Sequence, residues 1–346
     1  MKHSPRKTSS PRGFTLTELL IVIAIIAVLA SLATTAAINA MNRAKTTRVA
    51  LEIKELERAL LTFKEDNGTL PPNSLTPIGA GPNDAPVNAV RNDVRRVVKK
   101  LFPRINANEA QIVEYLIGAT NVPGTSPEGG ISAGEALVFW LGGFSQDEQF
   151  PISGSSGPSF VVGDQEIIEN RGFDDVIDVT RLGPRENGQF SGRFILYEDP
   201  RDSSIERRIN LWMYYPATSV QPYLYFDVSK NKPSDRATSG SNISYAYPLQ
   251  SPADPNATTP EFIAALKRPL ETTTTSTPSL AQTKYANQGK FQILHAGLDD
   301  AWGEANKWAA VAQENSPLLF PEGPFTGDIA DTLTNFTQGT LEAEQE

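Results

Sequence analysis

A run of 22 residues without a charged side chain, Leu19–Ala40, constrains this chain more than any other feature. At about 1.5 Å per residue, a helix of that length spans roughly 33 Å, which is enough to cross the hydrocarbon core of a bilayer. Lys2, Arg6, Lys7 and Arg12 precede the run, and no acidic residue accompanies them. Because positive flanks stay on the cytoplasmic side, this pattern predicts a cytoplasmic N-terminus and an exported remainder.

Two features distinguish this segment from an ordinary secretory signal, whose small-residue cleavage site follows the apolar run. The sharpest break here, Gly13-Phe14, precedes the run, and Glu18 lies at its edge. An ionised carboxylate at that position is costly unless it has a partner. A plain signal anchor with a chance glutamate is the alternative interpretation.

The string Arg-Gly-Phe-Thr-Leu-Thr-Glu-Leu-Leu-Ile-Val, from Arg12 to Val22, resembles the class III signal of type IV pilins and type II secretion pseudopilins. The resemblance implies that a prepilin peptidase cuts between Gly13 and Phe14 and methylates the new amino terminus. It also implies that Glu18 pairs with the terminal ammonium of Phe14 in a neighbouring subunit. A carboxylate and an ammonium in an apolar filament core are each expensive alone and tolerable together.

The helical pattern continues beyond the apolar run, so we predict one long helix over residues 14–66, with its transmembrane part at about 19–40. Its second half carries a narrow apolar stripe at helical spacing. The members of this stripe are Val49, Ile53, Leu56, Leu60 and Phe63. Asn67-Gly68 and the following prolines, Pro71-Pro72, predict the end of the helix. The helix exit, from Phe63 to Pro72, also resembles that of major pseudopilins.

The expected fold class is α+β and pilin-like: a long N-terminal helix packed on a C-terminal globular domain with an antiparallel sheet and extra helices. The domain expectation is a leader at 1–13, an extracytoplasmic domain at 67–336 and an acidic tail at 337–346, frayed over Gly339–Glu346. Extra helices are predicted at Val87–Leu101, Asn108–Ile117 and Ser132–Leu141. Strands are predicted at Ser159–Val162, Arg193–Tyr197, Ile209–Tyr215, Tyr223–Val228, Ile243–Tyr247 and Lys290–His295.

Two low-complexity segments, 251–260 and 271–283, are expected to be surface loops. The crowded aromatic residues between 212 and 226 are expected in the core rather than on a ligand platform. These are Trp212, Tyr214, Tyr215, Tyr223, Tyr225 and Phe226. Five cations along the first extra helix favour a solvated face, with a contact to an acidic neighbouring subunit as the sharper alternative. They are Arg91, Arg95, Arg96, Lys99 and Lys100.

The C-terminal region resembles the calcium-binding end of the major pseudopilin of type II secretion. The resemblance implies that Asp299, together with Asp328 or Asp331, provides oxygen ligands of the kind that Ca²⁺ prefers. Asp300 replaces the glycine expected in that turn, and about 25 residues separate the two halves of the site. The alternative is a metal-free, hydrogen-bonded aspartate turn.

Composition excludes several other classes of function. The chain has no cysteine, which removes disulfides, thiol nucleophiles and thiolate metal sites. Its net charge of −9 over 346 residues disfavours nucleic-acid binding. No G-x-S-x-G, H-E-x-x-H or Gly-rich phosphate loop occurs, so no catalytic residue is predicted. His295 is expected to be structural, and the carboxylate pairs Asp174–Asp175 and Asp299–Asp300 stay open as an acid–base alternative.

The function expected from the resemblance is that of a prepilin-type filament subunit, a pseudopilin or pilin that forms a homopolymer and joins other pseudopilins. Its expected partners are prepilin peptidase, the membrane and an assembly platform in the bacterial inner membrane, with the globular domain in the periplasm. The alternatives are a membrane-anchored binding or enzymatic domain, or a minor tip subunit that recruits a secreted substrate. Residues 73–288 form a middle region much larger than in typical pseudopilins.

Overall fold

The computed structural model describes residues 15–73, 85–118, 130–166, 168, 171–173, 176–230, 246–249, 261–276, 278–303, 308 and 318–345. The predicted processing residues Gly13 and Phe14, the pair Asp174–Asp175 and the loop 251–260 lie outside the described residues. The chain divides into two compact units, Met1–Thr47 and Arg48–Glu346.

The described residues contain four α-helices, and the structure confirms the long N-terminal helix and the three extra helices. Their bounds are α1 Leu16–Asn67, α2 Ala85–Leu101, α3 Ala107–Leu116 and α4 Ala133–Leu141. Gly68, with φ of 64°, follows α1 and its N–H donates to the carbonyl of Lys64 at 2.7 Å, which ends the helix at the predicted place. Ser132 and Glu135 form a capping box at the start of α4.

The strands of the described residues are short and all pair antiparallel. Their bounds are β1 Ser159–Val161, β2 Leu182–Gly183, β3 Arg185–Glu186, β4 Gln189–Phe190, β5 Phe194–Glu198, β6 Glu206–Asn210, β7 Met213–Tyr214, β8 Leu224–Asp227, β9 Ala246–Leu249, β10 Glu261–Ala264, β11 Lys267–Pro269, β12 Thr283–Tyr285, β13 Phe291–His295 and β14 Leu333–Thr334. Two three-stranded sheets run in the orders β1-β6-β5 and β14-β13-β8, and the remaining strands form the pairs β10-β9, β11-β12, β2-β7 and β3-β4. The α+β prediction is therefore confirmed, with several small sheets in place of one.

The second half of α1 belongs to the core of the larger unit. The predicted stripe faces inward: Val49, Ile53, Leu56 and Leu60 are buried, and Phe63 packs against them. The predicted core aromatics are buried too, except for Tyr215, which is half-buried. Burial of these apolar side chains is the main stabilising term for the unit.

A carboxylate on α1 also ties the helix to the sheets. Glu52 Oε2 accepts hydrogen bonds from the hydroxyl of Tyr223 at 2.7 Å and from the guanidinium of Arg181 at 2.5 Å. Two residues further on, Lys54 Nζ donates to the carbonyl of Asn335 at 2.6 Å. These polar contacts fix the rotation of the amphipathic half of α1, because the bonds form only when Glu52 faces Arg181.

Three sequence predictions need correction. The predicted strand Ile209–Tyr215 is divided between β6 and β7. The pairing of β6 with β5 ends at Asn210, the next two residues, Leu211 and Trp212, are buried, and β7 then pairs with β2. The tail is not frayed over residues 337–345: Leu341 is fully buried and its N–H donates to Thr332. Of the predicted loop 271–283, residues Leu280–Gln282 form a 3-10 turn and Thr283 begins β12. Of the predicted strand Ile243–Tyr247, Ala246 and Tyr247 belong to β9, and residues 243–245 lie outside the described residues.

Truncation of Leu56 tests the packing of the second half of α1 in the core of the larger unit. Leu56 is 1% exposed, so Leu56→Ala should lower the free energy of unfolding by about 2–5 kcal/mol. The matched control is Leu51→Ala on the same helix, whose side chain is 61% exposed and whose loss should cost less than about 0.5 kcal/mol. Denaturant unfolding followed by near-UV circular dichroism measures both; equal losses would contradict this packing.

Candidate functional site

The first turn of α1 is closed by a reciprocal pair of hydrogen bonds. The backbone N–H of Thr15 donates to Glu18 Oε2 at 2.9 Å, and the N–H of Glu18 donates to Thr15 Oγ1 at 3.2 Å. The hydroxyl of Thr15 also donates to Glu18 Oε2, at 2.7 Å. This arrangement is a capping box, which satisfies two of the N–H groups that a helix start leaves without an intrahelical partner.

The capping box gives Glu18 a local role that the sequence analysis did not consider. The signal was present, because Thr15-x-x-Glu18 before an apolar run is the sequence pattern of a capping box. The bonds to the carboxylate end on a single oxygen, Oε2. Its other oxygen, Oε1, accepts no hydrogen bond from the described residues, so a donor from another chain could reach it without breaking the cap.

The apolar part of α1 satisfies its own polar groups. The hydroxyls of Ser31, Thr34 and Thr35 donate to backbone carbonyls of the preceding turn, at 2.8, 2.8 and 3.0 Å. Large apolar side chains on all faces, from Leu16 to Met41, are exposed. Among the described residues, α1 is the one helix long and apolar enough to cross a membrane. A surface of this kind is stable in lipid or among similar helices, since these three hydroxyls have carbonyl partners within the helix and the helix interior satisfies its own backbone.

The predicted calcium residues lie together at the C-terminal edge of the larger unit. Asp331 Oδ2 accepts from the N–H groups of Leu298 at 2.7 Å and Asp299 at 3.4 Å, so the two halves meet despite their separation in sequence. Asp331 Oδ1 is buried and has no hydrogen-bond partner among the described residues. Burial raises the pKa of Asp331 to about 6, and the nearby carboxylates of Asp299 and Asp328 add to that rise.

Backbone conformation explains the sequence of this turn. Asp300, which stands where the resemblance expects glycine, has φ of 57°, the left-handed conformation that glycine favours and that aspartate tolerates. Gly297 has φ of 102°, and a Cβ there would overlap the carboxylate of Asp331. The turn therefore keeps its shape with Asp300. Within the described part of the chain, however, no three carboxylate or imidazole side chains form a group that could hold a metal ion.

A histidine and a serine also lie within hydrogen-bond distance. His295 Nε2 is 3.0 Å from Ser219 Oγ, and His295 Nδ1 accepts from the N–H of Gly297 at 3.1 Å. Because Nδ1 is an acceptor, the neutral ring carries its proton on Nε2 and donates to Ser219. A base that activates a serine needs the opposite tautomer, so this pair suits a structural role.

The basic run on α2 is largely engaged within the same unit. Arg91 is buried and donates to the carbonyls of Ile117 and Gly118. Arg95 forms an ion pair with Glu114 across to α3 at 2.5 Å. Arg96 pairs with Asp93, and Lys100 donates to the carbonyl of Gly68 at 3.0 Å. The solvated-face prediction therefore fails for Arg91, because its guanidinium holds the end of α3.

Comparison with known protein families gives one match. Residues 9–34 match the model of the prokaryotic N-terminal methylation motif. The chain therefore carries the prepilin-type signal typical of type IV pilins and pseudopilins, as its sequence predicts. No curated protein and no solved structure matches the chain.

Acid should destabilise the protein through His295. Burial lowers the pKa of His295 to about 4 in the folded chain, against about 6.5 for an exposed histidine. Because the unfolded chain binds the proton first, stability is complete above about pH 6.5 and falls as the pH drops toward 4. His295→Gln keeps a donor for Ser219. The substitution should remove a loss on the order of 2–3 kcal/mol in the free energy of unfolding between about pH 6.5 and pH 4.

The measurement is the free energy of unfolding of both proteins between pH 4 and pH 7. The difference between native protein and variant isolates His295, because the other titrating groups are common to both, including Asp331, whose raised pKa acts in the opposite direction. Parallel curves for the two proteins would contradict the burial of a neutral imidazole at this position.

Proposed function

We propose that this protein is a filament subunit, a pseudopilin of a type II secretion-like system or a type IV pilin. A prepilin peptidase cuts between Gly13 and Phe14 and methylates the new terminus. The subunit then waits in the bacterial inner membrane with its N-terminus cytoplasmic and its larger unit in the periplasm. An assembly platform lifts it into a filament built of copies of this chain and other pseudopilins.

The single observation that supports this proposal is the methylation motif over residues 9–34, which extends into a helix whose apolar surface is exposed on all sides. Leaving the bilayer exchanges lipid contacts for contacts between helices. Small residues along the segment let neighbouring backbones approach closely. These are Ala24, Ala27, Ala30, Ser31, Ala33, Ala36 and Ala37.

Charge pairing gives the assembly its register. Removal of residues 1–13 creates an ammonium on Phe14 and leaves 27 basic and 40 acidic side chains on the mature chain. Glu18 Oε1, which accepts no hydrogen bond from the described residues, is the acceptor for the ammonium of a neighbouring subunit. Pairing these two charges offsets the cost of placing each in an apolar core, whereas a misaligned helix would leave both without a partner.

The protein acts in this proposal as a structural subunit and not as an enzyme. The tautomer of His295 supports that view, because the ring donates to Ser219 and is not placed to accept its proton.

Two substitutions at Glu18 separate its charge from its cap. Glutamine at this position retains a capping box, whereas alanine removes both the cap and the charge. Glu18→Gln and Glu18→Ala should both be processed after Gly13, and both should assemble at least about tenfold less, as loss of an ion pair worth over 1.4 kcal/mol requires. Electron microscopy and quantification of sheared filaments measure assembly.

The processed fraction of each variant, read from its intact mass, is the control for membrane insertion. Normal filaments from Glu18→Gln, together with few from Glu18→Ala, would assign Glu18 to the helix cap alone and contradict the charge pair. Normal filaments from both variants would contradict any role of Glu18 in assembly.

We also propose that the turn around Asp299 binds Ca²⁺ through Asp331, with Asp299 or Asp328 as a further ligand. The buried oxygen Oδ1 of Asp331, which has no hydrogen-bond partner among the described residues, fits a cation that coordinates oxygen. The ion would neutralise carboxylates that otherwise repel one another. It would also link the C-terminal turn to Asp331 in a chain without disulfides.

Calcium should raise the thermal stability of the native protein above pH 6, by about 2.7 kcal/mol at a concentration 100 times the dissociation constant. Asp331→Asn should abolish this response. Without calcium the variant should be as stable as the native protein or more so, because burial disfavours the charged form of Asp331. Asp202→Asn, an exposed turn residue, is the matched control and should keep the full response. An equal calcium response in all three proteins, or none in the native protein, would contradict this site.

A further inference from the structure

The dipeptide Asn-Gly occurs twice in the chain, as Asn67-Gly68 and as Asn187-Gly188. An asparagine before glycine can modify itself, because the glycine backbone nitrogen can attack the side-chain amide carbon of the asparagine with no Cβ in the way. Each asparagine follows an acidic residue in the sequence, so the two sites have closely matched neighbours. Their surroundings in the fold therefore decide which of them reacts.

The groups that would react at Asn67 are held by hydrogen bonds. The N–H of Gly68 donates to the carbonyl of Lys64 at 2.7 Å, and the side-chain amide of Asn67 donates to the carbonyl of Phe63 at 2.9 Å. Asn67 is the last residue of α1 and is half-buried. Both hydrogen bonds and the last turn of the helix must open before the nitrogen of Gly68 can reach the amide carbon.

Asn187 and Gly188 lie at the tip of a hairpin, and both are exposed. They connect β3 to β4, which pair Glu186 with Gln189, and their φ angles of 51° and 79° have the sign that a type I′ turn requires at both positions. Neither the N–H of Gly188 nor the side-chain amide of Asn187 forms a hydrogen bond with a described residue. Strands of two residues support the tip weakly, so the turn opens readily.

A neighbouring cation does not distinguish the two sites. The guanidinium of Arg185 donates to the carbonyl of Gly188 at 3.4 Å, and Lys100 Nζ donates to the carbonyl of Gly68 at 3.0 Å. The sites share the dipeptide, the preceding acid and a cation at the glycine carbonyl. They differ in the hydrogen bonds of the reacting groups and in the structure that holds those groups.

We propose that Asn187 is a site of spontaneous deamidation and that the fold protects Asn67 from the same reaction. The nitrogen of Gly188 loses its proton and forms a bond to Cγ of Asn187, the bond from Cγ to the amide nitrogen breaks, and ammonia leaves with that proton. Water then opens the five-membered succinimide at one of its two carbonyl carbons, which gives aspartate or isoaspartate. No oxidant, reductant or enzyme takes part.

The reaction changes the tip of the hairpin and leaves its base in place. Both products add a negative charge beside Glu186. Isoaspartate also adds a methylene to the main chain, which a two-residue turn with a fixed strand register does not accommodate. At the base, the guanidinium of Arg185 lies 4.6 Å from the ring of Trp212, and the ring of Phe190 lies 4.4 Å from it. The site is independent of filament assembly, since none of these residues belongs to α1.

The experiment uses the full chain in lipid nanodiscs, incubated in mildly alkaline buffer made with oxygen-18 water. Peptide mass spectrometry locates each new carboxylate, which carries the heavy oxygen only if it formed during the incubation. We expect Asn187 to convert at least about tenfold faster than Asn67, the factor that about 1.4 kcal/mol of protection supplies. In concentrated guanidinium chloride, which removes the protection, the two sites should convert at similar rates.

Asn187→Gly is the matched variant, because Gly-Gly also forms a type I′ turn but carries no side-chain amide. It should remove the new carboxylate from the hairpin peptide and leave the slow conversion of Asn67 unchanged, with near-UV circular dichroism as the check of its fold. The comparison of the two sites within the native protein does not depend on this variant.

Three outcomes would overturn the proposal. One is the absence of heavy oxygen at Asn187 in the folded chain, and another is conversion of Asn187 and Asn67 at equal rates in the folded chain. The third is a difference between the two sites that persists in guanidinium chloride, since that would assign the difference to the flanking sequence and not to the fold.

Discussion

The surface of the first half of α1 is the constraint on which the rest of the protein depends. A helix that satisfies its backbone and its hydroxyls internally, and shows apolar side chains on all faces, is unstable in water and stable in lipid or among its own kind. The capping box of Thr15 and Glu18 provides acceptors for two of the N–H groups at its start. One carboxylate oxygen stays available there, so the edge of the apolar segment is also the place where a second charge is tolerated.

The same helix changes its surroundings along its length. After Arg43 the side chains alternate between charged and apolar, and from Val49 to Leu60 the apolar stripe is buried in the larger unit. Glu52 then bonds to Arg181 and Tyr223, which come from separate parts of the unit. Apolar burial stabilises the packing of this half of α1, and the polar contacts fix the rotation of the helix about its axis. A single helix thereby combines a segment long and apolar enough to cross a membrane with a segment buried in the core of the larger unit.

Sequence predicted best where a local rule decides the structure. The end of α1 at Asn67, the three extra helices and the buried stripe follow from periodicity, capping and breakers. Sequence failed where long-range packing decides. No local sequence pattern shows that Leu341 is buried or that Arg91 donates to the carbonyls at the end of α3. Nor does any local pattern show that β6 ends at Asn210, after which the chain pairs with β2. At the C-terminal turn, Asp299 and Asp331 were predicted as partners, but the buried oxygen of Asp331 needed the structure.

We propose above all that the chain is cut ahead of its apolar segment and keeps that segment as its anchor. The most direct measurement is the intact and fragment mass of the membrane-extracted chain after co-expression with a prepilin peptidase. We predict a mature chain that begins with N-methylated Phe14 and retains Leu19–Ala40. A chain that still begins at Met1, or one that begins after Ala40, would contradict the account.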